Sequence, residues 1–232
     1  MTGDGMKYLF FDLDGTLTDP FEGIANSIEH ALGRMGRPLP ERDFLRRFIG
    51  PPLIPSFREY FGMTGEEAEA ALGFYREYFS TRGLFENEPY PGIEEALRRI
   101  RAAGYVTAVA TSKPEEFSRR ILDHFGLAAY FDEICGASLD QSRTTKAEVI
   151  RALVGRLAER DGVSPDEIRR AAVMIGDRKH DAEGAALCGI PALGVLWGYG
   201  SGEELRGAGC GEVFAEPEDL AAYFCRGACG AV

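Results

Sequence analysis

The chain alternates between short apolar runs and segments that have the spacing of amphipathic helices. The apolar runs cover residues 8–11, 106–110, 171–175 and 192–196, with a further one around Ile134. Nearly every side chain in them is apolar, which is typical of parallel strands covered by helices on both faces. Helical periodicity occupies residues 93–103, 114–125, 146–159 and 179–187. This order predicts an α/β domain built on a parallel sheet.

One long stretch interrupts the alternation. From about Pro20 to about Glu88 the sequence shows helical patterns and no convincing strand. Asp19 fits an N-cap and Pro20 the first helical position, and a second amphipathic run covers residues 66–79. We therefore predict that residues 20–88 form a smaller, all-helical domain, inserted into a domain made of residues 1–19 and 89–232.

Composition narrows the class of protein. The 232 residues are 45% apolar, enough for a sizeable core, and 37 acidic against 26 basic residues give a net charge of −11. A surface this negative repels nucleic acid and anionic membranes, so we expect neither as a partner. No apolar stretch approaches the ~20 residues that span a bilayer, and we find no signal peptide. Among the five cysteines only Cys225 and Cys229 are near neighbours, too few for a zinc site, so free thiols and a cytoplasmic location are expected.

Two acids follow the first apolar run directly. Asp12 and Asp14 are spaced i and i+2, so strand alternation directs both carboxylates to the same side. Ligands of open parallel sheets bind beyond the carboxyl ends of strands, and carboxylates this close require a cation or a proton. A plain strand followed by an Asp-Gly turn is the alternative interpretation. A calcium loop is excluded, because its last position, Gly23, would have to be glutamate.

A second acidic pair follows a later apolar run. Asp177 comes after Gly176, and Asp181 returns toward it one helical turn later. Hard oxygen ligands at one sheet edge are typical of a magnesium site, with water and phosphate completing the shell. The same residues also fit a strand-to-helix turn with an N-capping aspartate.

Polar and basic residues mark two more helix starts. Thr111 and Ser112 end an apolar run before a predicted helix, an arrangement in which hydroxyl and N–H groups converge on an anion. Thr145 and Lys146 are typical of a capped helix start, although a lysine in the first turn interacts unfavourably with the helix dipole. Taken by itself, Lys146 is better explained as an ordinary surface lysine, because lysines are common at surfaces. The conjunction of these groups, each placed in order along the chain, points to one site.

Together these motifs resemble the haloacid dehalogenase superfamily, specifically its phosphatases with a helical cap inserted after the first motif. The resemblance covers nearly the whole chain, with the four motifs at residues 12–16, at Thr111, at Lys146, and at residues 176–177 with Asp181. Residues 10–19, 50–52 and 199–201 are similar to the phosphoglycolate phosphatase-like branch, which includes 5′-nucleotidases. The resemblance implies a Rossmann-like parallel sheet core and a magnesium-dependent hydrolase of phosphomonoesters.

The resemblance also implies a role for each motif residue. Asp12 would be the nucleophile that forms an aspartyl-phosphate, and Asp14 the general acid and base. Mg²⁺ would be held by Asp12, the main-chain carbonyl of Asp14 and Asp177, with Asp181 in the outer shell. The phosphoryl oxygens would contact the side chains of Thr111, Ser112 and Lys146.

The inserted domain is implied to be a mobile cap that selects the substrate. Within residues 47–52, Gly50 permits close backbone approach and Arg47 offers a guanidinium to a second anionic group, although an ordinary interhelix turn is the alternative. The expected substrate is a small phosphorylated metabolite, resembling phosphoglycolate or a nucleoside 5′-monophosphate. The sequence leaves the individual substrate and the oligomeric state undetermined.

Other activities share parts of this pattern. A phosphomutase has every core motif and differs only in returning the phosphoryl group to substrate. In a dehalogenase Asp14 would have no task, because a halide leaving group needs no proton. A receiver-like phosphoacceptor lacks an insertion of about 70 residues, and a noncatalytic binding protein would be expected to lack the nucleophile or the acid, which are both present here.

Overall fold

The computed structural model describes residues 7–140 and 142–226. The chain divides into two compact units, one made of Met1–Leu17 with Pro89–Val232 and the other of Thr18–Glu88. Cys229, half of the near-neighbour cysteine pair, lies outside the described residues, while the four described cysteines are free thiols. None of the helices in these described ranges combines the length and apolar character that crossing a bilayer requires.

A parallel sheet forms the centre of the larger unit. The described strands are β1 (Tyr8–Phe11), β2 (Thr18–Asp19), β3 (Glu88–Pro89), β4 (Val106–Pro114), β5 (Glu133–Ala137), β6 (Ala172–Gly176), β7 (Ala192–Val195) and β8 (Val213–Phe214). Six of them form one sheet in the order β5-β4-β1-β6-β7-β8, paired in parallel throughout. All four side chains of β1 are buried, as an apolar strand in the middle of a doubly covered sheet requires. The predicted Rossmann-like parallel core is confirmed.

Helices of the larger unit begin and end where local chemistry indicates. They are α4 (Ile93–Ala102), α5 (Glu115–His124), α6 (Lys146–Asp161), α7 (Pro165–Arg170), α8 (Lys179–Ala186), α9 (Gly202–Gly207) and α10 (Pro217–Cys225), with a 3-10 turn at Ala128–Tyr130. At α6, Thr145 and Glu148 form a reciprocal capping box. The helix ends at Gly162, whose φ of 67° is left-handed. Its apolar side packs against β4 and β5.

Some boundaries in the larger unit differ from the sequence expectation. Strand β4 continues to Pro114 instead of ending at Ala110, with a shift in its register against β5 between these two residues. Pro114 has an extended ψ of 132°, so it precedes α5 instead of starting it. Strand β8 was not predicted, because two residues are too few to show a period. Helices α7, α9 and α10 were not predicted either.

The smaller unit is helical. It contains α1 (Phe21–Arg34), a 3-10 helix (Arg42–Phe48), α2 (Leu53–Phe61), α3 (Gly65–Tyr78) and a π-helical turn (Phe79–Gly83), and the short strands β2 and β3 pair at its two ends. Helix α1 begins at Phe21, one residue later than predicted, and Asp19 Oδ1 accepts a hydrogen bond from Phe21 N at 3.0 Å. Gly23 lets α1 approach the π-helical turn, since a Cβ there would lie 2.0 Å from the carbonyl oxygen of Gly83.

Candidate active site

Two neighbouring strands bring the acidic motifs together. Strands β1 and β6 pair with Phe11 opposite Ile175, and Asp12 N donates to the carbonyl oxygen of Ile175 at 2.9 Å. Asp12 follows β1 and Asp177 follows β6, so both carboxylates lie at the carboxyl edge of the sheet. This is the edge at which ligands of open α/β sheets bind.

Three buried carboxylates meet at this edge. Oxygen atoms of Asp12, Asp177 and Asp181 all lie within 4.8 Å of one another, and none of the three residues is more than 6% exposed. Burial, reinforced by the neighbouring carboxylates, raises the pKa of Asp177 well above its usual range. Burial also raises the pKa of Asp181, against the attraction of the nearby ammonium group of Lys146. Removing these carboxylates from water is costly unless cations neutralise them.

Lys146 supplies one of those cations. Its Nζ lies 2.8 Å from Asp12 Oδ1 and 2.7 Å from Asp181 Oδ1, and it donates to the carbonyl oxygen of Ala110 at 2.9 Å. Burial alone would lower the pKa of Lys146, but the two carboxylates outweigh it and raise the pKa, so the ammonium stays charged. One ammonium against three carboxylates leaves a surplus of negative charge in the cluster.

The cluster has the chemistry of a divalent-cation site. Its ligands are hard carboxylate oxygens, and Asp12 Oδ1 and Asp181 Oδ1 are buried without a hydrogen bond of favourable geometry. A bound divalent cation would give these two oxygens, which Lys146 Nζ also approaches, a further partner, and it would neutralise the surplus charge. Asp181, predicted in the outer shell, lies within the same 4.8 Å limit as the other two carboxylates.

Asp14 is paired with a different lysine from the one that the cluster holds. Lys113 Nζ donates to both of its carboxylate oxygens, at 2.8 Å to Oδ1 and 2.6 Å to Oδ2, and both side chains are largely buried. Burial raises the pKa of Asp14, and the attraction of Lys113 offsets part of that rise. A carboxyl group whose proton affinity is raised suits an acid that must carry a proton. From the sequence, Lys113 is expected to border the phosphate site or to start a helix; its pairing with Asp14 was not predicted, although Thr111 and Lys113 share the i, i+2 spacing of Asp12 and Asp14.

The predicted phosphate-binding residues lie on elements adjoining Asp12. Thr111 is buried on β4, directly after the Ala110 carbonyl that accepts from Lys146, and Thr111 Oγ1 accepts from Lys113 N at 3.2 Å. Ser112 is half-buried beside it. Strand β4 pairs with β1, with Val109 opposite Phe11, so Thr111 lies on the strand next to the one that Asp12 follows.

A glycine makes room for the acidic cluster. Gly15 has a left-handed φ of 84°, and a Cβ there would lie 2.2 Å from Asp177 Oδ2. A side chain at this position would displace the carboxylate of Asp177. The requirement for glycine was visible in the sequence only as part of an Asp-Gly turn.

The specificity candidates lie in the smaller unit. Arg47 is exposed in the 3-10 helix, with its guanidinium carbon 5.1 Å from the centre of the Phe44 ring. Gly50 has a φ of 101°, which a residue with a side chain adopts rarely. Their contribution to substrate choice stays a prediction.

Comparison with known proteins gives consistent matches over most of the chain. Residues 9–195 match a family model described as haloacid dehalogenase-like hydrolase. A 5′-nucleotidase of Pseudomonas aeruginosa is 43% identical over 198 residues, covering 85% of this chain and 86% of that protein. The tyrosine-protein kinase PtkA of Mycobacterium tuberculosis is also 43% identical over 198 residues, but the match covers only 65% of its length. Phosphoglycolate phosphatase 1 of Pseudomonas aeruginosa is 29% identical, covering 86% of this chain and 72% of that protein. A solved structure of a predicted phosphatase from Clostridium acetobutylicum is 42% identical with a TM-score of 0.84, covering 93% of this chain and 96% of that one.

Proposed function

Because the chain belongs to the haloacid dehalogenase-like hydrolases, and is a phosphatase of that family, we propose that it hydrolyses phosphomonoesters with magnesium through an aspartyl-phosphate. The observation that carries this proposal is the division of labour between the two acids of the first motif. Asp12 lies in the buried carboxylate cluster with Lys146, whereas Asp14 is paired with Lys113 outside it. Nucleophile and proton donor thereby have separate environments.

The carboxylates of Asp12 and Asp177, with Asp181 beside them, would hold Mg²⁺. When bound, the metal would neutralise charge on these acids and on the phosphoryl oxygens, which a cluster of acids alone would repel. The main-chain carbonyl of Asp14 is the further ligand that we propose.

In the first step a carboxylate oxygen of Asp12 attacks phosphorus, and the bond from phosphorus to the leaving oxygen breaks. Asp14 donates its proton to that oxygen, so the product leaves as an alcohol. Lys146 and Thr111 would stabilise the charge on the phosphoryl oxygens during the transfer.

In the second step a water molecule attacks the phosphorus of the aspartyl-phosphate. Asp14, now ionised, accepts a proton from this water, and the carboxylate of Asp12 is released as inorganic phosphate forms. Asp14 thereby regains the proton that it lost, and the enzyme returns to its starting state.

The proposed substrate is a small phosphorylated metabolite, resembling phosphoglycolate or a nucleoside 5′-monophosphate. The names of two relatives, a 5′-nucleotidase and a phosphoglycolate phosphatase, support this class. Arg47 and Gly50 remain our candidates for contacts with the leaving group. Free thiols at the described cysteines support the proposed cytoplasmic location.

The test is phosphate release by the purified protein. We expect turnover of p-nitrophenyl phosphate with Mg²⁺ and none after chelation, and faster turnover of at least one compound in a panel of phosphorylated metabolites. Absence of phosphate release with every compound, while Mg²⁺ is present, would contradict the proposal.

Two further assays distinguish the proposed hydrolysis from related activities. A phosphomutase would transfer label between sugar phosphates in the presence of a bisphosphate activator and release little phosphate. A kinase, the activity in the name of PtkA, would move the γ-phosphate of labelled ATP onto a tyrosine-containing peptide. If either transfer is faster than the release of inorganic phosphate, that transfer, and not hydrolysis, is the reaction of this protein.

A further inference from the structure

Trp197 is the only tryptophan of the chain and lies in the loop that follows β7. It is half-buried, and its indole Nε1 donates a hydrogen bond to the carbonyl oxygen of Thr16 at 2.9 Å. Thr16 belongs to the loop after β1, which begins with Asp12. The indole N–H therefore joins the loop at residues 196–201 to the loop at residues 12–17.

The same two loops hold the carboxylate of Asp177, which is fully buried. From the first loop, Thr16 Oγ1 donates to Asp177 Oδ1 at 3.4 Å, and from the second, Tyr199 N donates to Asp177 Oδ2 at 2.8 Å. Each carboxylate oxygen thus accepts a hydrogen bond, and these two donors come from different loops. The orientation of Asp177 depends on the relative position of these loops.

Close packing leaves the loops little freedom. A Cβ on Gly198 would lie 2.2 Å from the carbonyl oxygen of Gly15 and 2.5 Å from Asp177 Cβ. A Cβ on Gly200 would lie 1.8 Å from the carbonyl oxygen of Asp177. Backbone groups of both loops therefore pack directly against Asp177, and Trp197 supplies a side-chain hydrogen bond between the two loops.

We propose that Trp197 is a positioning residue of the metal site: its N–H anchors the loop after β7 to the loop after β1 and thereby orients Asp177 for a divalent cation. The inference rests on the metal site of the proposed function. Trp197 acts through Thr16 and Tyr199 and is not itself a ligand. Groups that orient a ligand in this way typically change metal affinity by 10- to 100-fold when they are removed.

The experiment measures metal binding without substrate. Trp197→Phe keeps an aromatic ring and removes the N–H donor. We expect the dissociation constant for Mn²⁺, measured by the paramagnetic resonance of free Mn²⁺, to rise about tenfold. At saturating metal, kcat for p-nitrophenyl phosphate should recover to within a few fold of wild type.

Tyr105→Phe is the matched control. Tyr105 Oη donates to the carbonyl oxygen of Phe224 at 3.1 Å, so this variant also removes one half-buried hydrogen bond to the main chain in the same unit. Tyr105 precedes β4, at the opposite end of that strand from Thr111. We expect its Mn²⁺ affinity to equal that of wild type within twofold.

A double-mutant cycle with Thr16→Val tests the route of the effect. If Trp197 acts partly through the loop that carries Thr16, the two substitutions are not additive, and the double variant loses less Mn²⁺ binding free energy than the sum of the two single losses. Fully additive losses would contradict this coupling.

Folded Trp197→Phe protein with wild-type Mn²⁺ affinity would overturn the inference and reduce Trp197 to a packing role. Should Trp197→Phe not fold, Trp197→Leu, which also removes the N–H donor, takes its place, and unchanged Mn²⁺ affinity in that variant overturns the inference. Wild-type protein that binds no Mn²⁺ would instead contradict the proposed metal site itself.

Discussion

Replacing the proposed nucleophile should abolish turnover without destabilising the protein. Asp12→Asn preserves the shape of the side chain, but a neutral amide is a far poorer nucleophile than a carboxylate. The same change removes one charge from a cluster with three carboxylates and one ammonium. The effect of Asp12→Asn on the free energy of unfolding therefore depends on whether the attraction of Asp12 to Lys146 is stronger than its repulsion from the other two carboxylates.

The distances give the size of both effects. At 2.8 Å the ion pair of Asp12 with Lys146 is worth about 6 kcal/mol at an effective dielectric constant of about 20. When Asp177 and Asp181 are both ionised, repulsion from each, at no more than 4.8 Å, costs at least about 3.5 kcal/mol on the same scale. At a pH where both are ionised, removing the charge of Asp12 therefore changes the free energy of unfolding by about 1 kcal/mol in favour of the folded state. Lys146 is not left unpaired, because Asp181 remains 2.7 Å away.

The measurement is the melting temperature in the presence of a chelator. For a chain of this size about 1 kcal/mol corresponds to a shift of roughly 2–4 °C, so we expect Asp12→Asn to melt at the wild-type temperature or a few degrees higher. Turnover should fall by orders of magnitude.

Asp161→Asn is the control for this experiment. Asp161 pairs with Arg160 at 2.7 Å and accepts from Tyr8 Oη at 2.7 Å, and it has no cluster of acids to relieve. We expect a slightly lower melting temperature and normal turnover. A fall of several degrees for chelated Asp12→Asn, or substantial turnover in protein free of wild type, would refute the reasoning.

Three further predictions concern the remaining charges of the site. Lys146→Met leaves three buried carboxylates without their ammonium, so we expect the free energy of unfolding, measured with urea near neutral pH, to fall by about 3–5 kcal/mol. In acid, where the carboxylates take up protons, the fall should be smaller, and an equal fall at both pH values would contradict the electrostatic cause. Asp14→Asn should slow alkyl phosphates more than p-nitrophenyl phosphate, whose leaving group needs little protonation, and equal losses in kcat/KM would count against the acid role. Burial raises the pKa of Asp177 and of Asp181 in the folded protein above their values in the unfolded chain. Between those two pKa values the metal-free folded state binds more protons than the unfolded state. The free energy of unfolding therefore falls as the pH rises through this range. Because Mg²⁺ competes with those protons, the gain in melting temperature from Mg²⁺ should be larger at about pH 7.5 than at about pH 5.5, and an equal gain would show that the acids do not titrate with the metal.

Local pattern was sufficient for the central strands, for most of the longer helices and for the identity of the acids. Apolar runs predicted β1 and β6, because a strand covered on both faces has no polar alternation. Strand periodicity and the rule that ligands bind beyond strand carboxyl ends placed Asp12 and Asp177 at one edge. The capping box at Thr145 and Glu148 likewise depends only on neighbours along the chain.

The partners of these residues were decided only by the tertiary structure. Asp14 finds Lys113 because β4 lies beside β1 in the sheet, and strand order is not encoded in any local period. The link from Trp197 to Thr16 joins loops that follow different strands, so no spacing in the sequence predicts it. Ion pairs and hydrogen bonds of this kind act over about 3 Å, and which groups come that close depends on how whole elements pack. Sequence periodicity therefore determined which residues face the site, and the packing of the sheet determined which of them meet.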